Sequence, residues 1–113
     1  MMPKRIQRKR TKGWRMPSNT VSVCRPSRYG NPFRVGMFAN YDAADAVRDF
    51  RRWIDREHRV RSFEYAFGPP PTLAEIQRDL KGKNLACWCP IGQPCHGDVL
   101  LELANLDTEK EAA

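Results

Sequence analysis

No aspartate or glutamate occurs among the first 41 residues; Asp42 is the first carboxylate of the chain. That absence excludes an evenly ion-paired surface over the front third, where ten Lys and Arg face no acid, whereas the remaining 72 residues carry ten bases and thirteen acids. The formal excess of +7 therefore lies wholly in front. No run of about 18 apolar residues is present, so no membrane span and no membrane partner are expected. The basic N-terminus leads into Thr11-Lys12-Gly13-Trp14, not into the apolar stretch that a secretory signal requires, and a soluble cytoplasmic protein is the expectation. There is no internal repeat and no Walker or Rossmann glycine fingerprint. The H-x-E and P-C-x-x-C signatures of zinc deaminases are also missing, which argues against deamination of that type. Cysteine is limited to four residues, and in a cytosolic chain these read as thiols, metal ligands or catalytic groups before a disulfide framework.

What is present fits one domain of 113 residues, since a chain of that length can bury a single core but not two. Residues 1–19 read as a basic N-terminal arm, 20–106 as an α/β domain and 107–113 as an acidic tail expected to fray. Thr20-Val-Ser-Val-Cys24 alternates with period two and predicts a strand, ended by the breaker-rich Arg25-Pro26-Ser27-Arg28-Tyr29-Gly30-Asn31-Pro32-Phe33. Asp42 is suited to cap a helix running to about His58, with Ala43, Ala46, Val47, Phe50, Trp53 and Ile54 on one face and Arg48, Arg51, Arg52 and Glu57 mostly on the other. His58 would then partner the C-terminal end of the helix dipole. Beyond Gly68-Pro69-Pro70-Pro71, Thr72 and Glu75 form a capping box for a short helix with Leu73, Ile76 and Leu80 apolar, stopped at Lys81-Gly82.

Asn84 to Cys89 is short and mostly apolar and predicts a buried strand; Gly97 to Leu106 predicts a helix with Val99, Leu100, Leu103 and Leu106 on one side. Strand, helix, helix, strand, helix points to a small single-domain layered α/β fold, with a short, mainly parallel, Rossmann-like sheet flanked by helices. That topology brings both breaker-rich loops to one edge of the sheet, where α/β proteins place their ligands.

Three of the four cysteines and one of the two histidines fall between Cys87 and His96. On a strand Cys87 and Cys89 share one face, while Trp88 packs on the other. Cys87, Cys89, Cys95 and His96 are the right types and number for a tetrahedral zinc, so zinc is a possible cofactor. The C-x-C spacing and the adjacency of Cys95 and His96 depart from zinc-knuckle spacing, however, and the reading without a metal is preferred. A second reading makes Cys95 a nucleophile, because a helix N-terminus and His96 both favour thiolate. Cys89, Cys95, His96 and Asp98 then form the catalytic set, with Asp98 capping the helix or, less commonly, orienting His96. The plain alternative is core filling by small apolar thiols, which suits Cys87 best.

In the first loop Gly30 permits close backbone approach, Asn31 offers an amide to a base or ribose, and Arg25 and Arg28 offer guanidinium forks to phosphate. Ser27 and Tyr29 complete this ligand-binding set, Tyr29 stacking on a base or packing. The plain alternative is a turn in which Asn31 caps its own backbone and Phe33 plugs the core. The arm contributes Lys9, Arg10, Lys12, Trp14 and Arg15 as a nucleic-acid-binding set, cationic residues for phosphate with one aromatic to stack.

Arg10-Thr-Lys-Gly-Trp-Arg-Met-Pro17, Arg25 to Phe33, Gly82-Lys-Asn-Leu-Ala-Cys-Trp-Cys-Pro90 and Pro94-Cys-His-Gly-Asp-Val-Leu-Leu-Glu-Leu-Ala-Asn105 together resemble the family catalogued as domain of unknown function 4326, common in phages and bacteria. The resemblance covers nearly the whole chain, the arm with Trp14 included, and implies no established activity. Members often have Gly where this chain has Cys24, which implies no required role for that thiol. The residues themselves lead to the expectation of a nucleotide or nucleic acid as partner, bound at a two-loop site and acted on by an enzyme of transferase or hydrolase type. The alternative is a non-catalytic, zinc-stapled DNA- or RNA-binding module.

Overall fold

In the computed structural model, described for residues 3–55 and 60–106, three short parallel strands form one sheet in the order β1-β3-β2. The elements run β1 (Arg5–Gln7), β2 (Thr20–Ser22), α1 (Ala43–Ile54), α2 (Ser62–Phe67), α3 (Leu73–Leu80), β3 (Asn84–Cys87) and α4 (His96–Ala104). This is the small α/β domain that the sequence predicts, with its strands parallel. The predicted His58 contact and the acidic tail lie outside the described residues. Within those residues no helix is long and apolar enough to cross a membrane.

The central strand is the most apolar. Leu85 and Ala86 are fully buried and Cys87 nearly so, as expected for a strand paired on both sides and covered by helices. Arg5 registers with Leu85 on one edge and Val21 with the same residue on the other. The amide of Val23 still donates to Ala86 O at 2.9 Å beyond the end of β2, so pairing carries the chain into the first loop.

One element departs from the sequence reading. Arg5–Gln7, assigned to a basic arm, is a strand of the sheet. A three-residue edge strand with one apolar side chain carries no period-two signal, and charged residues are the ordinary occupants of a sheet edge. Lys4 N donates to Asn84 Oδ1 at 3.0 Å and Arg8 N to Cys87 O at 2.8 Å, fixing the strand at both ends.

Helix ends follow their capping chemistry. Asp42 and Asp45 make a reciprocal capping box at α1, and Thr72 and Glu75 make another at α3. Each satisfies two otherwise unpaired donors of the first turn. α1 buries Ala46, Phe50, Trp53 and Ile54, and α4, which buries Val99, Leu100 and Leu103, packs on β3, β1, α1 and α3. α2 was not anticipated: Phe63 and Phe67 bracket the ring of Phe33 at 4.9 and 4.7 Å between centroids, so this helix exists to seat the end of the first loop. Because β2 and β3 run the same way, the loops that follow them leave the same edge of the sheet.

Candidate functional site

The second loop starts where β3 ends and returns at the first turn of α4. Strand alternation turns Cys87 and Cys89 to one side, with their sulfurs 3.8 Å apart, and Cys95 at the helix N-cap brings a third sulfur to the same point. All three Sγ atoms lie within 4.8 Å of one another. A tetrahedral zinc with Zn–S bonds of about 2.3 Å holds its sulfurs about 3.8 Å apart, so these three cysteines can hold a metal ion. The C-x-C spacing does not keep these sulfurs apart, for a physical reason: knuckle spacings describe ligands presented by a turn, whereas here a strand end brings together Cys87 and Cys89 at i and i+2 and a helix N-cap brings Cys95.

His96 is buried, its ring packed edge-on against Phe50 at 5.2 Å. Its Nε2 lies 2.7 Å from Val23 O; a carbonyl only accepts, so Nε2 carries the proton and Nδ1 keeps its lone pair. Nδ1 faces Cys95 Sγ at 3.9 Å. A ring nitrogen freed in this way by a backbone carbonyl on the other is the usual arrangement of a metal-ligating histidine.

The sulfurs share their protons unequally. Hydrogen bonds from Cys89 and then Cys95 hold the Cys87 thiol well below its ordinary range, the bond with Cys87 pushes Cys89 up, and bonds with Cys87 and Cys89, with burial, push Cys95 up. The Gly97 amide donates to Cys95 Sγ at 3.4 Å, a weaker opposing effect. Cys95 is 1% exposed. It is thus also too buried to offer an external electrophile the access that reactive cysteines usually have. Asp98 neither caps α4 nor reaches His96; its carboxylate pairs with Arg5 Nε at 3.2 Å. Cys95 itself is the N-cap.

Arg5 shapes this loop. Its side chain is only 5% exposed, and its two terminal nitrogens donate to Cys89 O at 2.8 Å and Pro90 O at 2.7 Å. A guanidinium with five donors in a fixed fork can hold two carbonyls and a carboxylate at once. The sequence leaves it within the basic arm, because nothing in the local sequence shows that its partners lie more than eighty positions away.

The first loop satisfies itself. Asn31 is buried; its Oδ1 accepts from Phe33 N at 2.9 Å and its Nδ2 donates to Ala46 O at 3.3 Å. Its amide therefore holds the turn, using one Nδ2 hydrogen and one Oδ1 lone pair. A Cβ on Gly30 would meet the backbone of Arg25 at 3.0 Å, so this glycine serves chain packing and not ligand approach. Tyr29 OH donates to Asp79 at 2.5 Å, with burial and Asp79 pushing its pKa up to about 12. Ser27 Oγ accepts from Tyr29 N, and Arg28 turns to Glu75. Ser27, Arg28, Tyr29 and Gly30 thus belong to the frame.

The two loops nevertheless meet. A cavity of about 290 Å³ lies between them, lined by Arg25, Asn31, Phe33, Arg34 and Val35 from the first loop and by Trp88, Cys87, Cys89, Cys95 and His96 from the second. Cys24 and the α1 residues Ala43, Ala46 and Val47 complete it, and no carboxylate is among the lining residues. Trp88, which the sequence reading packed away, is 39% exposed. Two guanidiniums lie over its ring, Arg8 at 4.6 Å and Arg10 at 4.8 Å. Of the arm residues, Lys9, Arg10, Lys12 and Arg15 are exposed and Trp14 is half-buried. Arg34 was missed, and Arg8 entered only as part of the basic arm; the C-x-C alternation, which puts a Trp between two cysteines at a strand end, is the signal that could have exposed Trp88.

The chain belongs to the family described as domain of unknown function DUF4326, which it matches over residues 6–106. No curated protein and no solved structure matches it.

Proposed function

We propose that this member of the family is a zinc-stapled α/β domain that binds a phosphate-bearing ligand of the nucleotide class in the cavity between its two loops. The observation that carries the reading is the convergence of Cys87, Cys89 and Cys95 within 4.8 Å on the wall of that cavity. His96 Nδ1 lies 3.9 Å from Cys95 Sγ but outside the group of three sulfurs that come within 4.8 Å of one another, so a shift of its ring would be needed to complete the common set of three thiolates and one imidazole. Arg25 and Arg34, lining a cavity without a carboxylate, favour an anionic ligand.

A second reading, catalysis on that ligand, is supported by one fact: Cys87, Cys89 and Cys95 line the cavity, although Cys87 and Cys95 are themselves buried. A cytoplasmic, nucleotide-acting enzyme of phage or bacterial type would use the ion at that wall to polarise a bound group.

Cobalt substitution tests both. Cobalt added to the purified protein should give intense thiolate-to-metal bands and tetrahedral visible bands at one equivalent. Adding adenosine monophosphate should then perturb the visible bands, because the ion and the cavity are contiguous. Absence of charge-transfer bands would overturn the metal site, and bands indifferent to nucleotide, with no binding by calorimetry, would overturn the ligand assignment.

A further inference from the structure

Twelve arginines lie among the described residues, and half of them pair with a carboxylate. Arg5, Arg28, Arg48, Arg51, Arg52 and Arg78 each pair with a carboxylate. Arg8, Arg10, Arg15, Arg25, Arg34 and Arg61 pair with none among the described residues, and four of these six, Arg8, Arg10, Arg25 and Arg34, gather at the cavity. Arg25 and Arg34 line it, while Arg8 and Arg10 lie over the ring of Trp88, a residue that also lines it. Arg25 spends one nitrogen on Asn31 O at 2.6 Å. Arg8 has only long contacts, to Ser22 Oγ at 3.3 Å and Cys24 Sγ at 3.6 Å, and its buried Nε has no hydrogen-bond partner. An incompletely partnered, uncompensated guanidinium is costly to keep beside a core.

From this placement we infer that the ligand is a single-stranded nucleic acid, with one base against Trp88 at the cavity and the adjoining phosphates on Arg8 and Arg10. The inference rests on the cavity reading above and sharpens its ligand. A mononucleotide phosphate brings about two negative charges, fewer than four guanidiniums followed along the chain by the exposed Lys9, Lys12 and Arg15. Several consecutive phosphates match that row. The cavity of about 290 Å³ lies at the lower end of the range of ligand pockets, roughly 300–1,000 Å³, room for one base and not for a duplex. Unpaired bases offer their faces freely to an aromatic ring, with guanidinium planes adding to the stack.

The test is fluorescence anisotropy of the full zinc-loaded chain with labelled dT8, competed by thymidine monophosphate and by a blunt duplex of equal length. dT8 should bind at least tenfold more tightly than the mononucleotide, and its affinity should fall about 20-fold between 50 and 200 mM salt, the slope for three phosphates on a single strand. Arg10→Ala, at an exposed position, should reduce that slope by about 0.7. Trp88→Ala should weaken dT8 by about tenfold. The wild-type salt slope needs no variant and stands even if a substitution perturbs folding. If dT8 binds no better than a mononucleotide that does bind, the strand assignment falls and the cavity reading survives. If neither binds, both fall; a duplex binding as tightly as dT8 would mean generic phosphate attraction and overturn the inference.

Discussion

The two loops that leave the carboxyl edge of the sheet are equally rich in proline and glycine, yet they are held in opposite ways. The Arg25 to Phe33 loop closes its polar groups on the protein: Asn31 on Phe33 and Ala46, Tyr29 on Asp79, Ser27 on Tyr29. The Cys87 to His96 loop is clamped from outside by Arg5, while its three sulfurs meet one another, the His96 ring and the Gly97 amide. A tightly shaped loop is thus no evidence of a ligand in itself. What distinguishes a site is donor capacity that the protein leaves unspent.

The comparison can be broken in four places. Cys95→Ser should have the largest effect: it removes one sulfur of the staple, and structural zinc in small domains supplies about 10–16 kcal/mol against a total stability of about 5–15 kcal/mol. Thermal melting should lose its cooperative transition or shift down by more than about 10 °C, and wild-type melting with zinc retained would remove the distinction between the loops. Asn31→Ala should cost about 2 kcal/mol, since it strands Phe33 N in a buried place. Urea unfolding measures it, and an unchanged midpoint together with lost ligand binding would return Asn31 to the ligand-reading role. Arg5→Lys should cost about 1–2 kcal/mol, because an ammonium cannot span Cys89 O, Pro90 O and Asp98 together; it should also loosen zinc measurably in a chelator competition, whereas Asn31→Ala should not.

The smallest effect concerns acid. Arg78 and then Tyr29 hold Asp79 down to about 2, below the ordinary carboxylate value. A depressed group contributes stability that is present above its unfolded pKa of about 3.9 and lost as pH falls toward the folded one. The stability difference between the wild type and Asp79→Asn should therefore shrink between about pH 4 and pH 2. Asp79 is exposed, so solvent screening keeps the effect modest.

Much of this was legible in the sequence because it is local. Both capping residues, Asp42 and Thr72, the apolar faces of α1 and α4, and the parallel core strands follow from periodicity and side-chain chemistry within a few residues. What escaped is nonlocal. β1 exists only because β3 offers it an edge, and α2 only because Phe33 needs Phe63 and Phe67. The cysteine cluster was visible as a density of thiols, but spacing rules drawn from turns hid its geometry at a strand end. Asn31 and Gly30 have the same sequence signature whether they face a ligand or close a turn, and only the position of Ala46 O and the backbone of Arg25 separates the two.

Native mass spectrometry of the purified chain, paired with thiol titration under non-denaturing conditions, bears most directly on the staple. The account predicts one zinc per chain, with Cys87, Cys89 and Cys95 unreactive until a chelator is added. A metal-free chain that stays folded and does not take up added zinc would contradict it.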